Sequence, residues 1–425
     1  MAAEKGGSVQ IKLHHWKEER LRRLEALETA QAEVLRRAQA GEARYANSLG
    51  WLHVGEWAGK ERVEALQRLA AEIRAKTDTF VLIGVGGSNN AARSAISALA
   101  GEDAVKIVYA GNTLSPAALR QAMQNAAGRL YVDCIAKNFE TLEPGASFRL
   151  FRGLLRERCG GEASSRIAAT GSRGSLLERL CAEQGYTFLE FPANVGGRYT
   201  ALTSVGLLPM AAAGLDIAAM AEGAADMERV LRSQGPGENA AYRYACLRRL
   251  CWEEGYRIEL LSSFDPRLHW FYKWWIQLFA ESEGKEGKGL FPVSGEFSEE
   301  LHAVGQFVQE GTPLLFETFL DVEDDGDTLA PAPDGIEDDF GYLDGRTFGA
   351  MNSAAYEATA EAHSRRLPCA TLSLGRLDEY HFGALFYFFE FACYLSGSLL
   401  GVNPFDQPGV EDYKKRMFAA LGKTL

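Results

Sequence analysis

Several short stretches of this 425-residue chain combine residue types at spacings that could support proton transfer on a bound small molecule. The first is Gly84-Val85-Gly86-Gly87-Ser88, which follows an apolar run and precedes a helical pattern. Glycines let the backbone approach a ligand, and the unpaired N–H groups at a helix start attract an anion. The GxGxxG spacing of a dinucleotide fold is missing, so a simple tight turn is an equal interpretation.

Two further stretches contain the groups that proton transfer needs. The Gly-Gly-Arg sequence at 196–198 could line one wall of a cleft with backbone amides and a guanidinium. Arginine stays charged, so Arg198 could stabilise an oxyanion without titrating. Gln277 and Glu281 are four residues apart and would point the same way on a helix. A carboxylate after an aromatic run can be desolvated and used as a general base, although an ordinary helix end with a Glu–Lys pair is the alternative.

A histidine and a lysine complete the candidates. His302, one of seven histidines, lies in LHAVGQ (301–306), and Lys414 lies one turn inside a helical pattern that follows the turn beginning at Asn403. A single histidine or lysine is usually structural or solvated. By themselves these two residues therefore indicate no particular chemistry.

The elements that must position these residues follow an alternating pattern of strands and helices. Helical patterns separate most of the short runs rich in β-branched and aromatic residues, which is typical of doubly wound parallel sheets. The predicted strands are 79–85, 105–110, 129–135, 166–170, 187–191, 257–263, 312–322 and 370–377. We predict an α/β protein of two αβα sandwich domains, with an N-terminal helical segment at 1–50, sandwiches at 51–192 and 193–400, and a C-terminal helical tail at 401–425.

Composition excludes several classes of protein. The net charge of −12 argues against a general nucleic-acid binder. Seven scattered cysteines without a CxxC pair favour a reducing cytoplasm. The start of the chain has no apolar signal core, and charged and small residues interrupt the apolar stretch 382–402, which favours a buried core helix over a membrane span. The acidic stretch 321–339 has Ala332 where a calcium loop requires glutamate, so it predicts a solvated loop and no metal site.

Two long stretches resemble the signatures of the glucose-6-phosphate isomerase family. They are FPANVGGRYTALTSVGLLPMAAAGLDI (191–217) and GVNPFDQPGVEDYKK (401–415). GVGGS, ESEGK and LHAVGQ occur in the family's order, so the resemblance extends from about residue 50 to the C-terminus. It implies sugar-isomerase (SIS-type) sandwiches and an aldose–ketose isomerase that interconverts glucose 6-phosphate and fructose 6-phosphate through a cis-enediol. It also implies that no metal or organic cofactor is used.

The resemblance implies a role for individual residues. Glu281 resembles the base that moves the proton between C1 and C2, and Arg198 resembles the group that stabilises the enediolate oxygen. His302 and Lys414 resemble the pair that opens the sugar ring. In the family this histidine comes from the neighbouring subunit, so a homodimer is implied. Substrate contacts are implied for the remaining matched positions: Gly87, Ser88, Lys137, Asn138, Thr141, Gly197, Gln277 and Gln407.

The phosphate-binding loop departs from the family pattern S-K-S/T-x-T-T. Lys137 and Thr141 are retained, but Ala136, Asn138 and Glu140 replace hydroxyl residues. Each lost charge-assisted hydrogen bond is worth about 1.5–3 kcal/mol. Glu140 could face the phosphate, point into solvent or pair with Lys137. The altered loop leaves open the same isomerisation on a hexose with a sulfonate or plain hydroxyl at C6. A non-catalytic sugar-phosphate sensor is a third hypothesis, which the retained catalytic side chains disfavour.

Overall fold

A computed structural model describes residues 9–102, 104–324, 326 and 328–423. Positions 325 and 327 of the predicted acidic loop, and the outermost residues of the two terminal segments, lie outside the described residues. The described strands are β1 (Gln10–His14), β2 (Thr79–Ile83), β3 (Lys106–Ala110), β4 (Leu130–Ile135), β5 (Ile167–Gly171), β6 (Thr187–Glu190), β7 (Ile258–Ser263), β8 (Phe291–Glu296), β9 (Leu315–Asp324) and β10 (Cys369–Arg376).

Helices connect most of these strands. The helices before β6 are α1 (Glu18–Ala30), α2 (Ala32–Ala40), α3 (Val54–Ala58), α4 (Lys60–Ala75), α5 (Gly87–Leu99), α6 (Pro116–Asn125), α7 (Leu142–Cys159) and α8 (Leu176–Gln184). The helices after β6 are α9 (Ser204–Ala212), α10 (Ile217–Ser233), α11 (Ala240–Glu253), α12 (His269–Glu283), α13 (Val304–Glu310), α14 (Phe348–Ser364), α15 (Glu379–Leu400) and α16 (Glu411–Ala420).

The first sheet has the strand order β3-β2-β4-β5-β6, with every pair parallel. The central strand β2, TFVLI, is buried at each position, as expected for an apolar strand that helices cover on both faces. The chain passes from β2 to β3 on one side and later returns to β4 on the other. The strand order therefore reverses between β2 and β4, where ligands of doubly wound sheets bind beyond the carboxyl ends of the strands.

The second sheet has the order β1-β10-β9-β7-β8 and is parallel except for β1, which pairs antiparallel with β10. The eight predicted strands are confirmed with small shifts at their ends. The sequence pattern missed β1 and β8. The strand β1 is a short edge strand, and β8 contains Pro292 and Gly295, which weaken a strand pattern. The predicted N-terminal helical pattern is confirmed by α1 and α2, but β1 joins the second sheet.

One large apolar cluster joins the two sheets through the helices between them. The helix α15 crosses α10 within this cluster so closely that a Cβ at Gly383 would lie 1.9 Å from the backbone oxygen of Met220. By length and composition α15 could span a membrane, but 94% of its apolar window is buried inside the protein. The interpretation of this stretch as a core helix is therefore confirmed.

Candidate active site

Two glycine-containing loops meet at the carboxyl end of β2. Gly86, with φ of 58°, adopts a backbone conformation that favours glycine, and α5 begins at the next residue. A Cβ at Gly87 would lie 1.7 Å from the backbone oxygen of Gly197. The hydroxyl of Thr200 donates to the backbone oxygens of Gly197 at 2.8 Å and of Gly87 at 3.3 Å. The loop after β2 is therefore in direct contact with the loop that carries Arg198.

Arg198 is buried, with 3% of its side chain exposed. Its Nε donates to the hydroxyl of Ser282 at 2.8 Å, and its Nη2 donates to the backbone oxygens of Pro404 at 2.7 Å and Asp406 at 3.1 Å. Its Nη1 lies 2.7 Å from Oε1 of Glu281. The guanidinium is thus fixed by α12 on one side and by the loop after α15 on the other.

Glu281 lies near the end of α12, and 21% of its side chain remains exposed. While Arg198 binds Oε1, Nε2 of Gln277 donates to Oε2 at 3.1 Å. The four-residue spacing therefore places Gln277 and Glu281 on one face of the helix, as predicted. A carboxylate beside a permanent cation can remove a proton next to a carbonyl while the cation stabilises the resulting oxyanion.

The loop 403–407 closes one side of the cleft. Lys285 lies 2.8 Å from Oδ1 of Asp406 and also donates to the backbone oxygen of Asn403. Partial burial lowers the pKa of Lys285. The Glu–Lys pair considered for this helix end is therefore not what the structure shows, because Lys285 pairs with Asp406. This loop carries the exposed Gln407 and leads to α16, where Lys414 is half-buried.

The altered loop after β4 lies on a neighbouring edge of the cleft. The amine of Lys137 donates to the backbone oxygen of Val195 at 3.0 Å, and burial lowers its pKa. Asn138 is exposed and accepts a hydrogen bond from Ser172 at 3.4 Å. Glu140 is also exposed and lines an outer pocket with Asn138 and Ser172. Of the three alternatives for Glu140, pairing with Lys137 is not what the structure shows, because Lys137 binds Val195 and Glu140 is exposed.

The structure brings half of the predicted site residues together. Direct contacts join Gly87, Gly197, Arg198, Gln277 and Glu281, and Ser88 follows Gly87 in the first turn of α5. Lys137 and Thr141 flank the exposed part of the loop after β4, and Thr141 directly precedes α7.

His302 does not join this cluster within the single chain. It is exposed on a 3₁₀ turn, Glu299–His302, beyond β8. Among the described residues it makes no hydrogen bond or ion pair.

Sequence reasoning missed residues that hold the catalytic groups in place. Ser282 and Lys285 belong to the ESEGK stretch, so the sequence shows that they are near Glu281. It does not show that Ser282 binds Arg198 or that Lys285 binds Asp406. Asn90, which donates to Oε1 of Gln277 at 2.9 Å, gave no signal in the sequence. Within the described part of the chain, no group of three or more His, Cys, Asp or Glu residues is placed to bind a metal ion.

Comparisons with known proteins identify the family of this chain. The family model described as phosphoglucose isomerase matches residues 17–318. Glucose-6-phosphate isomerase of Clostridioides difficile is 41% identical over 391 residues, covering 88% of this chain and 87% of the relative. The enzyme of the same name from Shouchella clausii is 42% identical over 391 residues, with 88% and 86% coverage.

Solved structures are similar over nearly the whole chain. A hypothetical protein from Thermus thermophilus superposes with a TM-score of 0.89 at 26% identity, covering 97% of this chain and 100% of its own. A glucose-6-phosphate isomerase from Chlamydia trachomatis gives a TM-score of 0.82 at 20% identity, covering 98% of this chain and 89% of its own. The second likeness shows the shared fold alone.

Proposed function

The chain belongs to the phosphoglucose isomerase family, and we propose that Glu281 and Arg198 are its central catalytic pair. It is an aldose–ketose isomerase that interconverts glucose 6-phosphate and fructose 6-phosphate. The observation that carries the proposal is the 2.7 Å contact between the buried Arg198 guanidinium and the Glu281 carboxylate at the mouth of the cleft.

The proposed reaction begins with the open-chain aldose. Glu281 removes the proton from C2, a double bond forms between C1 and C2, and the electrons of the C1 carbonyl move to its oxygen. Arg198 stabilises this enediolate oxygen because its position is fixed before substrate binds. A proton passes from the C2 hydroxyl to the C1 oxygen, Glu281 returns its proton to C1, and the electrons left on the C2 oxygen form the carbonyl of the ketose. The intermediate is a cis-enediol, so one carboxylate serves both carbons.

The substrate contacts are proposed at the residues that surround this pair. The start of α5 at Gly87 and Ser88 offers backbone N–H groups to an anion. Lys137, Asn138 and Thr141 form the edge proposed for the C6 phosphate, and Gly197, Gln277 and Gln407 lie around the reacting carbons.

The substrate alternatives receive no support. The relatives compared above, which match 88% of the chain, are named for glucose 6-phosphate and not for a C6 sulfonate or an unphosphorylated hexose. The intact contact between Arg198 and Glu281 argues against a non-catalytic sensor.

We further propose a homodimer in which His302 enters the partner's cleft and opens the sugar ring together with Lys414. His302 is exposed on the turn that follows Ser298, and two apolar side chains are also exposed: Leu329 by 63% and Phe348 by 53%. These two residues and Ser298 line a pocket of about 550 Å³. Exposed apolar patches of this kind mark interaction surfaces, and a second copy of this chain is the proposed occupant.

We also propose a cytoplasmic location. All seven cysteines are free, and most of them are buried, which suits a reducing compartment.

The role of Glu281 is tested with Glu281→Gln, which keeps the size of the side chain and removes the base. We expect kcat to fall by about 10²–10⁴-fold and exchange of the C2 proton in deuterated water to disappear. Glu286→Gln, on the exposed turn just beyond α12, is the matched control and should keep wild-type kinetics. If Glu281→Gln retains more than about a tenth of wild-type kcat, a different group is the base.

The dimer is tested by combining two inactive variants, Glu281→Gln and His302→Ala, through co-expression. A heterodimer with His302 acting across the interface has one intact site, so the mixture should recover about a quarter of wild-type activity. Absence of recovery in a confirmed heterodimer would show that His302 does not act in the partner's cleft.

A further inference from the structure

We propose that Asn90 is a positioning residue for the isomerisation, because it fixes the amide of Gln277 that in turn binds Glu281. The proposal rests on the proposed role of Glu281 as the base. Asn90 lies on α5, whereas Gln277 and Glu281 both lie on α12.

The geometry is a three-membered hydrogen-bond relay. Nδ2 of Asn90, in the first turn of α5, donates to Oε1 of Gln277 at 2.9 Å. Nε2 of the same glutamine donates to Oε2 of Glu281 at 3.1 Å. Asn90 is half-buried beside the start of α5, so the relay runs from the anion-binding end of this helix to the carboxylate on α12.

The direction of the relay matters because a glutamine amide can turn by 180° with little change in shape. Only when Oε1 of Gln277 accepts from Asn90 does Nε2 face the carboxylate. The reverse orientation would bring an amide oxygen against Oε2 of Glu281. The carboxylate of Glu281 can only accept, so it faces Nε2 of Gln277, and Asn90 supplies the donor that Oε1 needs in that orientation.

Packing leaves Gln277 little other freedom. A Cβ added at Gly86 would lie only 2.8 Å from Nε2 of Gln277, so the amide lies directly against the loop before α5. Arg198 already fixes Oε1 of Glu281. The relay fixes Oε2 and thereby the plane of the carboxylate, and a displacement of about 1 Å in such a group can reduce the rate 10²-fold.

Asn90→Asp is the decisive variant, since it keeps the shape of the side chain and removes its N–H donors. Two carboxylates then compete for Nε2 of Gln277, and in either orientation of the amide one of them faces Oε1, which cannot donate. We expect kcat to fall about 10–100-fold while KM changes less than about threefold. Asn90→Leu breaks the link without adding charge and should give a smaller fall.

A second readout separates positioning from a purely structural role. In deuterated water, the fraction of turnovers that exchange the C2 proton with solvent, instead of transferring it to C1, should rise in Asn90→Asp. A misplaced carboxylate is open to water for longer. Asn239→Asp is the matched control, because the amide of Asn239 also donates one hydrogen bond, to the backbone oxygen of Leu231 at 2.6 Å, before α11 and outside the cleft. It should change neither kcat nor the exchanged fraction.

The outcomes distinguish this proposal from the one on which it rests. Wild-type kcat and exchange in Asn90→Asp would overturn the relay. Reduced activity that follows only a loss of folded protein, with the exchanged fraction unchanged, would also overturn it. If Glu281→Gln remains active, the base itself is wrongly assigned. An inactive Glu281→Gln together with an unaffected Asn90→Asp refutes the relay alone.

Discussion

Replacing Arg198 with lysine tests whether catalysis needs the fixed guanidinium or only a positive charge. The guanidinium contacts Glu281, Ser282 and two backbone oxygens from three different nitrogens. An ammonium group has one nitrogen on a flexible chain, so it cannot reach all of these partners at once. Arg198→Lys keeps the positive charge and loses the arrangement of hydrogen bonds that the guanidinium makes.

The expected magnitudes follow from the contacts that would be lost. Hydrogen bonds to a charged group contribute about 1.5–3 kcal/mol each, so loss of two lowers the free energy of unfolding by about 3–6 kcal/mol. The displaced cation also no longer meets the oxygen that becomes negative in the transition state. Removal of one such preorganised donor lowers kcat by about 10²–10³-fold.

The assay follows aldose formation from fructose 6-phosphate, with urea unfolding measured on the same samples. Arg129→Lys is the matched control, because Arg129 forms an exposed forked pair with Asp78, 2.7 Å away, outside the cleft. The control should leave both the urea midpoint and kcat close to wild type, because an exposed ion pair contributes little to stability. A kcat for Arg198→Lys within about threefold of wild type would refute the reasoning, because charge alone would then suffice.

Two other substitutions test the architecture. Gly87→Ala should lower the free energy of unfolding by about 1–3 kcal/mol and remove most of the activity, because its Cβ would lie 1.7 Å from a backbone oxygen. In Gly153→Ala the new Cβ has nothing within 4 Å, so thermal unfolding should show no change or a small stabilisation. Asp133, buried on β4 without a hydrogen-bond partner among the described residues, has its pKa raised by burial to about 8. Because this folded-state pKa exceeds the unfolded value, stability is fully present below about pH 4 and falls as pH rises toward 8. Asp133→Asn should remove that loss and raise Tm more at pH 8 than at pH 5, and an equal change at both pH values would contradict the buried charge.

Local sequence patterns predicted much of the fold. Apolar β-branched runs such as TFVLI must be covered on both faces, so their position along the chain is visible without any partner. β1 was missed because QIKLH alternates only weakly and is stabilised by pairing with β10, more than 350 residues later. The close crossing of α10 and α15 at Gly383 was equally hidden, because a glycine in a helix does not reveal which backbone it approaches.

The sequence also predicted the residues proposed for the site. The signatures around Arg198, Glu281 and Lys414 specified the reaction, because a base and a permanent cation are required whatever holds them. Only the tertiary structure decided how they are held. It pairs Lys285 with Asp406, joins Lys137 to the backbone of Val195, and links Asn90 through Gln277 to Glu281. Such contacts join residues that are far apart in the chain, and neither periodicity nor spacing encodes which distant side chains meet when the core packs.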